Sequence, residues 1–158
     1  MCSSDLPPAL DPATVEVKTG TSYPEPFRAM AGERRKRALG DALGLTNYGV
    51  NLVELPPGAM SSMRHWHSKQ DEFVYVLEGE LTLITDAGEQ VLGAGMVAGF
   101  AAGSGDGHHM INRSQAMACY LEVGDRAPGD AIVYPDVDLD LPVDIEDGFL
   151  HKDGTPYR

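Results

Sequence analysis

The chain has 158 residues, 42% apolar and 23% charged, the balance of one globular domain with a substantial core to bury. Its 24 acids against 12 Lys plus Arg leave a net charge of -12, which argues against nucleic acid or an anionic membrane as partner, because both select basic surfaces. No run approaches the roughly 20 apolar residues of a membrane span, no signal-peptide pattern is visible, and only two cysteines, Cys2 and Cys119, occur; the expectation is a cytoplasmic protein without a disulfide framework.

Residues 1–14 are rich in Pro, Ser and Ala without periodicity and predict a flexible tail. Residues 15–45 form an N-terminal extension. Within it Tyr23–Phe27 carries two prolines and predicts an extended or turn segment. Helix formers between Ala29 and Leu43 are interrupted by Gly32 and Gly40, so at most a short helix or two should end near Gly44. Arg34, Arg35, Lys36 and Arg37 make the only basic run. It reads first as a solvated face that balances acids elsewhere, and second as a contact for an anion or phosphate.

From Thr46 to Gly124 the pattern is short apolar strands separated by Gly and Pro signals, which predicts an all-β antiparallel sandwich or barrel. The Gly79-Glu80 pair predicts a hairpin between the strands on either side of it. Gly103 to Gly107 (GSGDG) is followed by a strand-like HHMIN, so it reads as a turn at the barrel lip, not a phosphate loop before a helix. Residues 125–158 are acidic and Pro-rich and should pack on the barrel. The alternation in Pro135 to Ile145 predicts an edge strand with its charge outward. A calcium site on Asp136, Asp138 and Asp140 is disfavoured, because the glycine and terminal glutamate of an EF-hand loop are missing. His151 reads as a surface histidine.

Four of the five histidines fall in two clusters, and these carry the chemistry. If Met63–His67 is a strand, Met63, His65 and His67 share one face, and Arg64 and Trp66 the other. The parity of Glu72, Val74 and Val76 puts a carboxylate and two β-branched side chains together on what should be the barrel interior. In the second cluster His108, Met110 and Asn112 share a face, while His109 and Ile111 share the opposite one. Two or more imidazoles are costly to bury without partners, and a divalent ion supplies one. His65, His67, Glu72 and His108 are therefore the candidate metal ligands, with His109 and Asp71 as alternatives. Asn112, Met63 and Met110 are candidates for the surroundings of the ion or the pocket. Three nitrogens and one oxygen suit one divalent transition metal, Fe, Mn, Ni, Zn or Cu, and leave positions open for water or substrate.

The two clusters resemble the two signature motifs of the cupin superfamily. The first is matched by Gly58, His65, His67, Glu72 and Gly79, with one extra residue before His65. The second is matched by Gly95, Gly103, His108 and Asn112, with Ala101 in place of a proline and two extra residues before His108. The phrases DEFVYVLEGE, GHHMINRS and HKDGTPY are similar to small bacterial single-domain cupins, some of them labelled sugar-phosphate-isomerase-like. The resemblance implies a jelly-roll (double-stranded β-helix) cupin barrel over residues 46–124, with the N-terminal extension before it and the acidic segment after it. It also implies isomerase, epimerase, decarboxylase, lyase or dioxygenase chemistry at the metal, and a homodimer. The expected function is a metalloenzyme acting on a sugar or small carbonyl or carboxylic substrate. The alternative is a non-catalytic barrel that binds or senses a small molecule such as a sugar.

Overall fold

In a computed structural model, described here for residues 8–142 and 148–157, the chain is almost entirely β. Cys2 with the first half of the predicted tail, and Asp144, Glu146 and Asp147 of the acidic segment, lie outside the described residues. The elements run in order: β1 (Lys18–Thr19), α1 (Phe27–Ala31), β2 (Arg35–Ala38), α2 (Leu39–Ala42), β3 (Tyr48–Leu55), β4 (Trp66–His67), β5 (Glu72–Glu78), β6 (Glu80–Thr85), β7 (Gly88–Gly93), β8 (Val97–Phe100), β9 (His109–Ile111), β10 (Ala118–Asp125), β11 (Ile132–Val133) and β12 (Asp140–Leu141).

Two layers result. One is a six-stranded sheet in the order β1-β2-β3-β10-β5-β8. The other is built from two three-stranded sheets, β7-β6-β9 and β12-β11-β4. The bridges Met60↔Ile111 and His65↔His108 link those two across the segment that leads into β4. Inward-facing Val53, Leu55, Val74, Val76, Leu81, Leu92, Met110 and Tyr120 fill the space between the layers. The architecture is the jelly-roll barrel expected from the strand pattern.

Three elements differ from the expectation. The strands on either side of Gly79 do not form a hairpin. β5 pairs with β10 and β8, whereas β6 pairs with β7 and β9. Gly79, at φ +80°, sits where the chain changes layers, and a Cβ there would fall 2.8 Å from the Met117 carbonyl oxygen. The turn signal was real, but it marks a corner between sheets. Second, the run from Met63 to His67 is a strand only at Trp66–His67, with His65 held by its bridge to His108.

Third, the basic run is β2, flanked by the two short helices. It is registered on β3 with Arg35 opposite Glu54 and Lys36 opposite Val53. Strand alternation turns Arg35 and Arg37 outward to Glu54, at 4.0 and 2.6 Å. Arg34 and Lys36 turn inward, so the solvated-face reading fails for half of the run.

A second buried cluster, Tyr23, Phe27, Ala31, Met63, Tyr134 and Leu139, joins the N-terminal extension to the C-terminal segment over one end of the barrel. The edge strand expected over Pro135 to Ile145 forms, among the described residues, only at Asp140–Leu141, although Val137, Leu139 and Leu141 do pack into this cluster. Asp136 meets Arg64 at 2.6 Å and Asp138 meets His151 at 2.6 Å. The two carboxylates are thus committed to different partners. His151 also stacks on Tyr157 at 3.8 Å, so it fastens the C-terminus.

Candidate metal centre and its cavity

Strand parity brings the first donors together. Glu72 opens β5 on the same face as buried Val74 and Val76. His67 lies on β4, and His65 is one alternation before it. Ligand atoms of His65, His67 and Glu72 all lie within 4.8 Å of one another. Glu72 Oε1 is 3.5 Å from His65 Nε2 and also contacts His67 Nε2. Its other oxygen, Oε2, is 2.5 Å from His108 Nε2. The rings of His65 and His108 have centroids 4.8 Å apart. Three imidazoles and one carboxylate, from residues 65–67, 72 and 108, therefore gather around one centre.

The alternatives separate cleanly. His109 also borders the cavity, but its Nδ1 is 2.9 Å from the Ser62 carbonyl oxygen. Asp71 accepts from the Ala102 N–H at 2.8 Å and lies outside the cluster. Met110 is buried and lines the cavity. Met63 is buried in the cluster above it, packed with Tyr23 and Tyr134. Asn112, fully buried, is 2.7 Å from both the Leu55 and Ala116 carbonyl oxygens through Nδ2 and accepts from Ser114, so it is a structural clasp.

Partners that the sequence reading missed hold the rings in place. His67 Nδ1 is 2.6 Å from Asp130, whose other oxygen accepts from the Lys69 N–H at 2.9 Å. His65 Nδ1 is 2.9 Å from the Met63 carbonyl oxygen. Phe100 stacks on His108 at 3.6 Å. With Nδ1 of His65 and His67 committed as donors, their Nε2 lone pairs point at the common centre, the tautomer a metal ligand needs.

The electrostatics agree with a cation at that centre. Burial opposes charge on His67, but Glu72 and Asp130 outweigh it and push the ring up to about 9. Burial would raise Glu72, yet the imidazoles of His108, His65 and His67 hold its carboxyl far below the usual range. Burial lowers His108 against the pull of Glu72. A place where two carboxylates favour a proton between His67 and Glu72 favours a divalent ion for the same reason. The donor set therefore fits a divalent transition metal.

Beside the donors lies a cavity of about 390 Å³. The flanking segments also line it: Tyr23, Arg34 and Lys36 from the extension, and Ile132, Tyr134 and Phe149 from the C-terminal part, with the Tyr134 ring 5.8 Å from that of His65. Glu122 of β10 also faces in. These residues carry no recognisable motif. What could have pointed to Arg34 and Lys36 was the i, i+2 spacing of cations, had the run been read as a strand.

A two-layer β-barrel that gathers His, His, Glu and His inside one end is a jelly roll with a donor group that could hold a metal ion, and the comparisons agree on the fold. The chain belongs to the cupin superfamily. Residues 51–124 match the family described as "Cupin domain". A solved protein from Silicibacter pomeroyi, described as a sugar phosphate isomerase from a cupin superfamily, is 44% identical. That alignment covers 96% of this chain and 97% of the other, with a TM-score of 0.89. A proposed sugar phosphate isomerase from Acidithiobacillus ferrooxidans is 26% identical over 89% of this chain and 86% of its own, with a TM-score of 0.75. The polyketide cyclase RemF from Streptomyces resistomycificus shares the fold at 20% identity, covering 82% of this chain and 85% of its own, with a TM-score of 0.66. Among curated proteins, none matches the chain. Among the described residues, no helix is long and apolar enough to cross a membrane.

Proposed function

We propose that this protein is a metal-dependent enzyme of isomerase or lyase type acting on a small sugar or other carbonyl substrate. The observation that carries the reading is the cavity itself. It is roomy enough for a small metabolite, and the candidate metal donors line it together with a tyrosine hydroxyl, two cations and an apolar patch. His65, His67, Glu72 and His108 would hold the ion. When bound there, a divalent ion supplies Lewis-acid polarisation of a carbonyl or hydroxyl oxygen.

The chain's own residues supply the rest. Asp130 orients His67, and the Met63 carbonyl orients His65. Ile132, Leu141 and Phe149 make the apolar part of the wall and exclude water from a bound substrate. Burial pushes the Tyr134 hydroxyl well above its usual range, so it keeps its proton and acts as a hydrogen-bond donor. The Silicibacter pomeroyi and Acidithiobacillus ferrooxidans relatives, 44% and 26% identical, are both described as sugar phosphate isomerases, which supports isomerisation over oxygen chemistry. The free, half-buried thiol of Cys119 suits a cytoplasmic setting.

The test is metal analysis of the purified protein beside a His65→Ala/His67→Ala variant, followed by aldose–ketose interconversion assays on the metal-loaded forms. Stoichiometric metal in the wild type only, with turnover that depends on it, is the expected result. Equal trace metal in both proteins would sink the reading. Stoichiometric metal without turnover of any carbonyl sugar would favour a binding or sensing barrel instead.

A further inference from the structure

The cavity lining carries two cations that the candidate metal donors do not contact. Lys36 is registered opposite Val53, which is fully buried, so its side chain points into the barrel. Arg34 shares its parity, and both border the cavity. Among the described residues neither has a carboxylate at ion-pair distance, unlike the outward-facing Arg35 and Arg37 of the same run. The two carboxylates that line the cavity have other partners: Glu72 faces the three imidazoles, and Glu122 accepts from Asn51 at 2.9 Å.

Arg34 is half-tethered. Its Nη1 donates to the Ser61 carbonyl at 2.8 Å, while its Nε is buried without a partner. A guanidinium bordering a cavity can turn its remaining N–H groups to an oxyanion. Burial, with the charge of Arg34 adding to it, holds the Lys36 amine down. Two like charges sharing a buried wall are costly until an anion joins them.

We propose that Arg34 and Lys36 form the anion subsite of this cavity and hold the phosphate of a phosphorylated substrate. The orientation of that substrate, with its reacting end towards His65, His67, Glu72 and His108, rests on the metal-enzyme reading. Capture of the phosphate does not. A phosphate dianion carries charge and oxygens enough to meet both cations at once, whereas a carboxylate carries half of that charge. A phosphate held here would also use binding energy remote from the reacting carbons to fix the substrate's position.

Inorganic phosphate is the probe, titrated calorimetrically with acetate as the monoanion comparator. The proteins are wild type, Arg34→Gln/Lys36→Met, His65→Ala/His67→Ala, and Arg35→Gln/Arg113→Gln. The last removes the same charge from outward-facing positions. Wild type should bind phosphate about ten-fold or more tightly than acetate, and the Arg34/Lys36 variant should lose about ten-fold or more. The other two variants should stay within about two-fold of wild type.

Phosphate affinity unchanged in the Arg34/Lys36 variant overturns the proposal, as does an equal loss in the outward-facing control. So does acetate binding as tight as phosphate, or no phosphate binding by wild type at about 10 mM. A loss confined to the His65/His67 variant would put phosphate on the metal donors and would overturn it too. If the Arg34/Lys36 variant melts early, Lys36→Met alone, which keeps the Arg34–Ser61 bond, should still lose about three-fold, and no loss there counts against the proposal. Failure of the metal-enzyme reading looks different: equal metal in wild type and His65→Ala/His67→Ala, with the phosphate pattern intact.

Discussion

Glu72 is the residue on which the centre turns, since all three imidazoles meet its carboxylate. The parity of β5 was enough to aim it inward, and parity likewise chose His108 over His109. What no parity could supply was Asp130, which lies 63 residues from His67 in sequence and 2.6 Å away in space. Asp130 fixes the tautomer and the aim of the His67 ring. Its replacement by Ala should weaken divalent-ion affinity by about 10- to 100-fold, the usual cost of losing such a partner. Competition titration against a fluorescent chelator measures this directly. Affinity equal to wild type would show that His67 is held by the barrel alone.

At the scale of elements, the strands were legible and their partners were not. The alternation in Glu72–Glu78 and the glycine at residue 79 were both visible, yet whether that glycine turns a hairpin or a corner depends on which strands lie alongside. Cys119 and Gly93 lie across from Glu78 and Glu80 and belong to different sheets. β2 shows the same limit from another side. Its residues favour helix as readily as strand, and only pairing with β3 imposes the period of two that sends Arg34 and Lys36 inward.

Asn112, four residues after His108, reads in sequence as a companion of the metal site. In the fold it clasps the end of β3 to the loop before β10. Asn112→Ala leaves the Leu55 and Ala116 carbonyls and the Ser114 N–H without it, and should cost about 2–4 kcal/mol of stability. Urea unfolding should show that loss while the metal content of the folded protein stays the same. Metal loss without destabilisation would return Asn112 to the site.

For the whole molecule, one surface stands apart from the acidic rest. Phe73, Tyr75 and Leu77 on the outer face of β5, with Val97 of β8 opposite Tyr75, form an exposed apolar stripe. A second copy carries the same net charge of -12, so an uncharged face is where two copies can approach and match themselves about a two-fold axis. We propose that the protein dimerises through this stripe. Light scattering should give twice the chain mass for wild type and the single mass for Tyr75→Glu. A monomeric wild type at about 100 μM rules the dimer out as a working form.

The strand class of the chain and the inward donors at residues 65, 67, 72 and 108 were readable from residues alone, because both follow from local periodicity. A side chain's face is set by a two-residue repeat, and a buried cluster of imidazoles with a carboxylate calls for a cation wherever it occurs. The layer each strand joined, the aim of Asp130, and the inward turn of Arg34 and Lys36 were settled by long-range pairing. Those features depend on which distant backbone accepts which N–H, and no window of sequence contains both partners. The donor cluster was thus written locally, while the cavity wall beside it was assembled by the fold from the two flanking segments.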